Sequence, residues 1–138
     1  MRQSSTTITV DTPGKTLVEI TGEAARFVTE SGIAEGLLTL LCRHTSASLL
    51  VNENAAPAVQ RDMLAWLDRI APQGPHYEHD DEGPDDMPAH LRAALTGVNL
   101  SIPVSGGRMM LGTWQGIYLA EHRARPHRRT IAAHIFGE

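Results

Sequence analysis

The chain has 138 residues, a mass of 15.0 kDa, a single cysteine and a formal charge of −4. That length suits one domain with a real core, and one cysteine excludes an internal disulfide. No run of about 20 apolar residues and no basic leader with an apolar core occurs, and the six aromatic residues are not interleaved with a basic stripe, so the expectation is a cytoplasmic protein contacting neither membrane nor nucleic acid.

Thr6 to Val10 alternates, Asp11 to Gly14 is a turn signal and Thr16 to Ile20 resumes an extended pattern, which predicts an N-terminal hairpin. A short helix follows, with Thr21 as its cap, Ala24, Phe27 and Val28 as its apolar side and Gly32 as its stop. Gly36 introduces a strand from Leu37 to His44, and Ala47 to Val51 reads as another. Asn54 is the expected cap of a longer helix, with Pro57 in its first turn and Val59, Met63, Trp66, Leu67 and Ile70 at helical spacing. Pro72 and Gly74 end it, an acidic loop occupies about 72 to 85, and Asp86 and Pro88 start a third helix that stops at Gly97. Three extended runs close the chain: Val98 to Val104, Met109 to Arg123 with a break near Gly112, and Thr130 to Phe136. Strands and helices without a βαβ rhythm predict an α+β fold, a single domain over residues 1–138 with a largely antiparallel sheet or sandwich and about three helices.

The chemistry concentrates in the acidic loop. Glu78, Asp80, Asp81, Glu82, Asp85 and Asp86 lie within nine positions, and without them 12 basic residues face 10 acidic ones. His76, His79 and His90 sit in or beside this run, mixing imidazoles with carboxylates, both of which bind divalent metals or move protons. His79 is the stronger metal ligand, because neighbouring carboxylates orient its ring or share its cation. His90 falls in the first turns of its helix, where the dipole favours a neutral, ligating ring. The competing reading is a solvated charge run with Asp85 and Asp86 as helix caps.

His44 ends an apolar strand and precedes three hydroxyls, Thr45, Ser46 and Ser48; it is either a ligand or a core histidine satisfied by a carbonyl. Neither serine sits in a nucleophile elbow. Alternation from Gly112 to Arg123 puts Gln115, Ile117, Leu119, Glu121 and Arg123 on one face and His122 on the other. Gln115, Glu121 and Arg123 then line a polar pocket, with Arg123 as a fork for phosphate or carboxylate, unless Glu121 and Arg123 form only a surface pair. Gly106-Gly107-Arg108 offers amides and a cation to an anion, or is simply a hairpin turn. Trp114 is expected to be a buried aromatic, and His127 and His134 to be a loop and a strand residue without chemistry.

His44-Thr-Ser-Ala-Ser-Leu49, Asn52-Glu-Asn54, Asp85-Asp-Met-Pro-Ala-His90 and Leu111-Gly-Thr-Trp-Gln-Gly-Ile-Tyr118 together resemble the YjbQ family, in the right order and from about residue 5 to Gly137. The resemblance implies a compact α+β domain assembling as a homotrimer, with a secondary thiamine phosphate synthase activity that joins a pyrimidine diphosphate to a thiazole phosphate and releases pyrophosphate. It marks His44, Glu53, His79, His90, Trp114, Gln115, Glu121 and Arg123 as motif positions. His122 departs from the aromatic or apolar residue common there, which argues against a catalytic role for it, and Arg125 to Arg129 replaces a more Gly-rich turn.

Taken together, these readings anticipate a metal-dependent enzyme acting on a phosphorylated small molecule. Its divalent ion, Mg²⁺ or Zn²⁺, is held by His44, His79 and His90. The expected catalytic set is His44, Glu53, His90, Gln115, Glu121 and Arg123, with Arg108, Trp114 and Arg123 on the substrate. The alternatives are a metal-assisted hydrolase and a non-catalytic metal- or metabolite-binding trimer.

Overall fold

Alternating apolar positions sort the chain into two antiparallel sheets. The computed structural model describes residues 1–138. In chain order the elements are β1 (Arg2–Thr12), β2 (Thr16–Glu19), α1 (Thr21–Ser31), β3 (Gly36–Cys42), β4 (Ala47–Glu53), α2 (Pro57–Ile70), α3 (Asp86–Thr96), β5 (Asn99–Ser105), β6 (Arg108–Met109), β7 (Gln115–Glu121) and β8 (His127–Gly137). One sheet has the order β1-β8-β3-β5-β6 and the other β2-β7-β4, giving the α+β architecture with three helices that the pattern predicts. Ile8, Val10, Leu38, Leu40, Ile102, Ile131 and Ile135 of the larger sheet share one apolar core with Ala47, Leu49, Ile117 and Leu119 of the smaller, and Ala24, Phe27 and Val28 of α1 join it. No helix is long and apolar enough to cross a membrane.

The N-terminal hairpin does not form. β1 pairs along its whole length with β8, from Arg2 opposite Gly137 to Thr12 opposite His127, and β2 pairs with β7. The Asp11–Gly14 turn instead carries the chain from one sheet to the other. Turn chemistry fixes a reversal, whereas the partner of each strand is decided by which apolar face it completes. Gly14 is required there: its φ is 138°, and a Cβ would lie 2.7 Å from the Ala124 carbonyl oxygen.

Helix ends also differ from expectation. Thr21 and Asn54 do not cap; the Thr21 hydroxyl donates to Glu19 and accepts the Ile117 N–H, while the Asn54 amide reaches Glu19. The Ala55 and Ala56 N–H groups ahead of α2 are taken by the Glu53 carboxylate. Of the apolar positions expected on α2 only Leu67 is buried. β8 begins at His127, three residues before the expected start, because pairing with β1 extends it. Gly106 and Gly107 form the β5–β6 hairpin turn, with φ 59° and 75°.

β7 is the central strand of the smaller sheet and is buried from Gly116 to Glu121. Ile117 and Leu119 face the core between the sheets. On the other face the Gln60 amide of α2 reaches the Tyr118 hydroxyl, and Ser48 of β4 links His122 to Thr96 of α3. This packing fixes α3, and therefore its first turn, against the end of the smaller sheet.

Candidate metal centre

Asp86 and His90 are four residues apart on α3 and so share one face of it. The preceding loop folds His79 onto that face. His79 Nε2 lies 2.8 Å and His90 Nε2 3.0 Å from the same oxygen, Asp86 Oδ2, and Glu82 Oε2 lies 3.3 Å from His79 Nε2. One ligand atom from each of His79, Glu82, Asp86 and His90 falls within 4.8 Å of the other three. Donors around a tetrahedral zinc, with bonds of about 2.0–2.1 Å, are about 3.4 Å apart, so this donor set suits such an ion with little adjustment.

The hydrogen bond on the far side of His90 makes the cluster chemically pointed. His90 Nδ1 is 2.9 Å from the Thr45 carbonyl oxygen, which only accepts, so the proton of a neutral ring resides on Nδ1. Its Nε2 lone pair then faces the Asp86 carboxylate. Two acceptors at that distance require a positive charge between them, a second ring proton or a metal cation. An outer carbonyl that fixes the tautomer of a ligating histidine is the usual companion of a metal site.

Arg123 holds the carboxylates in place. Its Nη1 donates to Asp86 Oδ1 at 2.6 Å, its Nε to Asp85 Oδ2 at 3.0 Å and its Nη2 to the Glu82 carbonyl at 2.9 Å. Asp85 also accepts the Ala124 N–H, so the expected helix cap is a strut between α3 and the end of β7. Burial pushes the Asp86 carboxyl up, but the His79 hydrogen bond and the nearby His90 and Arg123 outweigh it, and its pKa lies below the ordinary value. Hydrogen bonding to Asp86 raises the His79 pKa.

Of the residues expected at one centre, His79 and His90 meet, and Arg123 adjoins them. The fork of Arg123 is filled by Asp85 and Asp86, not open to a phosphate. His44 stands outside the cluster: its Nε2 accepts the Thr130 N–H at 2.8 Å, and it lines a neighbouring cavity together with His90. Burial, followed by the charge of Arg129, holds its pKa below the ordinary imidazole value.

Glu121 lines no open pocket. It is fully buried, gripped by Arg129 through both carboxylate oxygens and by the Thr12 hydroxyl at 2.7 Å. Burial raises its pKa, but these partners outweigh that and the net direction is down. Only the Arg123 backbone N–H contacts it from that residue, so neither the shared polar pocket nor the Glu121–Arg123 surface pair exists.

Glu53 and Gln115 are paired across β4 and β7, at the opposite end from the Ala47–Glu121 pair. Six residue steps separate the two ends, roughly 20 Å of strand. The Gln115 amide oxygen accepts the Gly112 N–H. Trp114, expected to be buried, is 63 % exposed. Arg108 lies at the edge of the larger sheet, beside Thr21, Ala25 and Val28 of α1. His76 packs on Tyr77, with 4.0 Å between ring centroids, and is exposed. The sequence leaves open whether Asp86 is a helix cap or a ligand and singles out no one carboxylate of the loop; the signal for Asp86 is its spacing of four from His90.

A two-sheet α+β domain with a histidine–carboxylate cluster at the start of its third helix is the class of protein these observations define. The family model described as UPF0047 protein YjbQ-like matches residues 6–138, and the chain belongs to this family. UPF0047 protein sll1880 of Synechocystis is 45 % identical over 138 residues, covering 99 % of this chain and 94 % of that one. UPF0047 protein YjbQ of Escherichia coli O157:H7 is 50 % identical over 103 residues, 75 % of each chain. The crystal structure of an uncharacterized conserved YjbQ/UPF0047 family protein from Clostridium acetobutylicum matches with a TM-score of 0.89 at 36 % identity, covering 95 % of this chain and 99 % of that one.

Proposed function

We propose that the protein is a divalent-metal-dependent enzyme acting on a phosphorylated small molecule, with His79, His90, Asp86 and Glu82 as the ligands. The observation that carries this reading is the fixed tautomer of His90, whose free nitrogen is aimed at a carboxylate. A divalent ion there would act as a Lewis acid, neutralising charge on phosphate oxygens. The chain's own residues have distinct tasks. Thr45 orients His90, and Arg123 keeps Asp86 ionised and aimed. Glu82, with its side chain 62 % exposed, is the ligand that a substrate oxygen can displace. Formation of thiamine phosphate from the pyrimidine diphosphate and thiazole phosphate is the specific activity that the family resemblance implies. We assign it as a weak one, since Arg123 is already engaged and no Gly-rich phosphate loop is present.

A homotrimer is part of the same proposal. Its support is the outer face of the larger sheet, where Thr7, Thr39, Leu41, Ala132, His134 and Phe136 present an uncharged surface of the kind that interfaces cover. Light scattering that reports a monomer at micromolar concentration refutes this part alone.

The decisive experiment is a calorimetric Zn²⁺ and Mg²⁺ titration of chelator-treated wild type, His90→Ala and Asp86→Asn, followed by an assay of pyrophosphate release from the two thiamine precursors. Tight binding and slow turnover in wild type, both lost in the variants, are expected. Equal metal affinity in all three refutes the centre. Metal binding without release of pyrophosphate favours the non-catalytic alternative.

A further inference from the structure

The metal cluster occupies one side of His90, and the other side of the same residue borders a cavity of 380 Å³ between α3 and the β3–β4 loop. Its walls include His44, Thr45, Ala93, Ala94 and Val98. No charged side chain of Lys, Arg, Asp or Glu lines it, so it is unsuited to an ionised group. Ala93 and Ala94 are small, which leaves room against the helix. The volume lies within the range of small-molecule sites, which are mostly apolar with a few placed polar groups.

His44 supplies such a group. Its Nε2 accepts the Thr130 N–H, so the proton of the neutral ring is on Nδ1, an N–H donor not engaged within the chain. The result is a largely apolar recess with His44 and Thr45 as polar residues on its wall, bounded by an imidazole that also belongs to the His79–Glu82–Asp86–His90 cluster.

Resting on the metal-centre reading above, we propose that this cavity binds the uncharged part of the substrate, a small ring or short apolar group with an acceptor atom for His44, while the phosphate or other anionic head lies at the metal cluster. His90 is the boundary between the two subsites. Substrate class is then set by both halves: an anionic head alone, or an uncharged ring alone, uses only part of the site.

The test uses two probes with the same head, phenylphosphonate and methylphosphonate, titrated into zinc-loaded wild type, Ala94→Leu and Ala94→Trp. Ala94 is exposed on α3, so larger side chains fill the cavity without entering the core, and circular dichroism checks the fold of each. Wild type is expected to bind phenylphosphonate about tenfold more tightly than methylphosphonate, from burial of the ring. The preference should fall in Ala94→Leu and vanish in Ala94→Trp, with zinc and methylphosphonate affinities unchanged. Equal affinity of the two probes for wild type overturns the proposal, as does a preference that survives both substitutions. Zinc uptake is read before any phosphonate is added. Failure there overturns the metal-centre reading, and this inference with it; normal uptake without a ring preference overturns this inference alone.

Discussion

Acid should destabilise this protein through His122, a residue with no role in the proposed chemistry. It is 1 % exposed and ends an unbroken chain of hydrogen bonds. The Thr96 hydroxyl donates to the Arg92 carbonyl, so the Ser48 hydroxyl donates to Thr96 at 2.6 Å, and His122 Nε2–H donates to Ser48 at 2.8 Å. Burial, with the nearby Arg92 charge adding to it, pushes the His122 pKa down from 6.5 to about 4. In the unfolded chain the ring protonates as pH drops below 6.5, while in the folded protein it stays neutral until about 4. The unfolded state therefore binds more protons, and stability falls as pH falls. Between pH 7 and pH 4.5 the loss from this residue is about 2.5 kcal/mol. Urea unfolding of metal-free wild type and His122→Phe at both pH values measures it, since phenylalanine fills similar space, does not titrate and leaves Ser48 bonded to Thr96. Titration of other groups, His79 included, cancels in the comparison. The pH-dependent loss should be about 2.5 kcal/mol smaller in the variant. The same loss in both proteins refutes the assignment of a buried neutral imidazole.

Arg129→Met should cost about 3–5 kcal/mol in urea unfolding, because it strands the fully buried Glu121 carboxylate. Trp114→Ala should shift stability by no more than about 1 kcal/mol in the same assay, since the ring is 63 % exposed. Arg123→Gln removes the struts to Asp85, Asp86 and the Glu82 carbonyl, so limited proteolysis should cut faster between residues 78 and 86; unchanged cleavage would mean that the loop is held by other contacts. Zinc at about 100 times its dissociation constant should stabilise wild type by about 2.7 kcal/mol and leave His90→Ala unmoved, as read by thermal unfolding.

The sequence determined the element types and the fold class, because the apolar period of each segment and the stops at Gly32 and Gly97 are local properties. It also put two members of the candidate cluster, His79 and His90, in one loop and the helix turn that follows, whereas His44, expected as the third ligand, lies outside the cluster. Strand partners were beyond it: β1 and β8 lie at opposite ends of the chain yet pair over eleven residues, and nothing in either strand alone names the other. The same limit applies to polar residues. Glu121 and Arg123 are two apart in the chain, yet one is sealed in the core by Arg129 and Thr12 and the other pins the acidic loop. Alternation assigns both to one face of an ideal strand, but that strand ends at Glu121. Beyond it the chain turns, and the partners that decide whether a charge is structural or functional come from 37 and 38 residues away along the chain for Arg123 and, for Glu121, from Arg129 eight residues on in β8 and Thr12 109 residues away in β1. Only tertiary packing brings those groups together, because the cost of burying a charge is offset by partners contributed from distant segments.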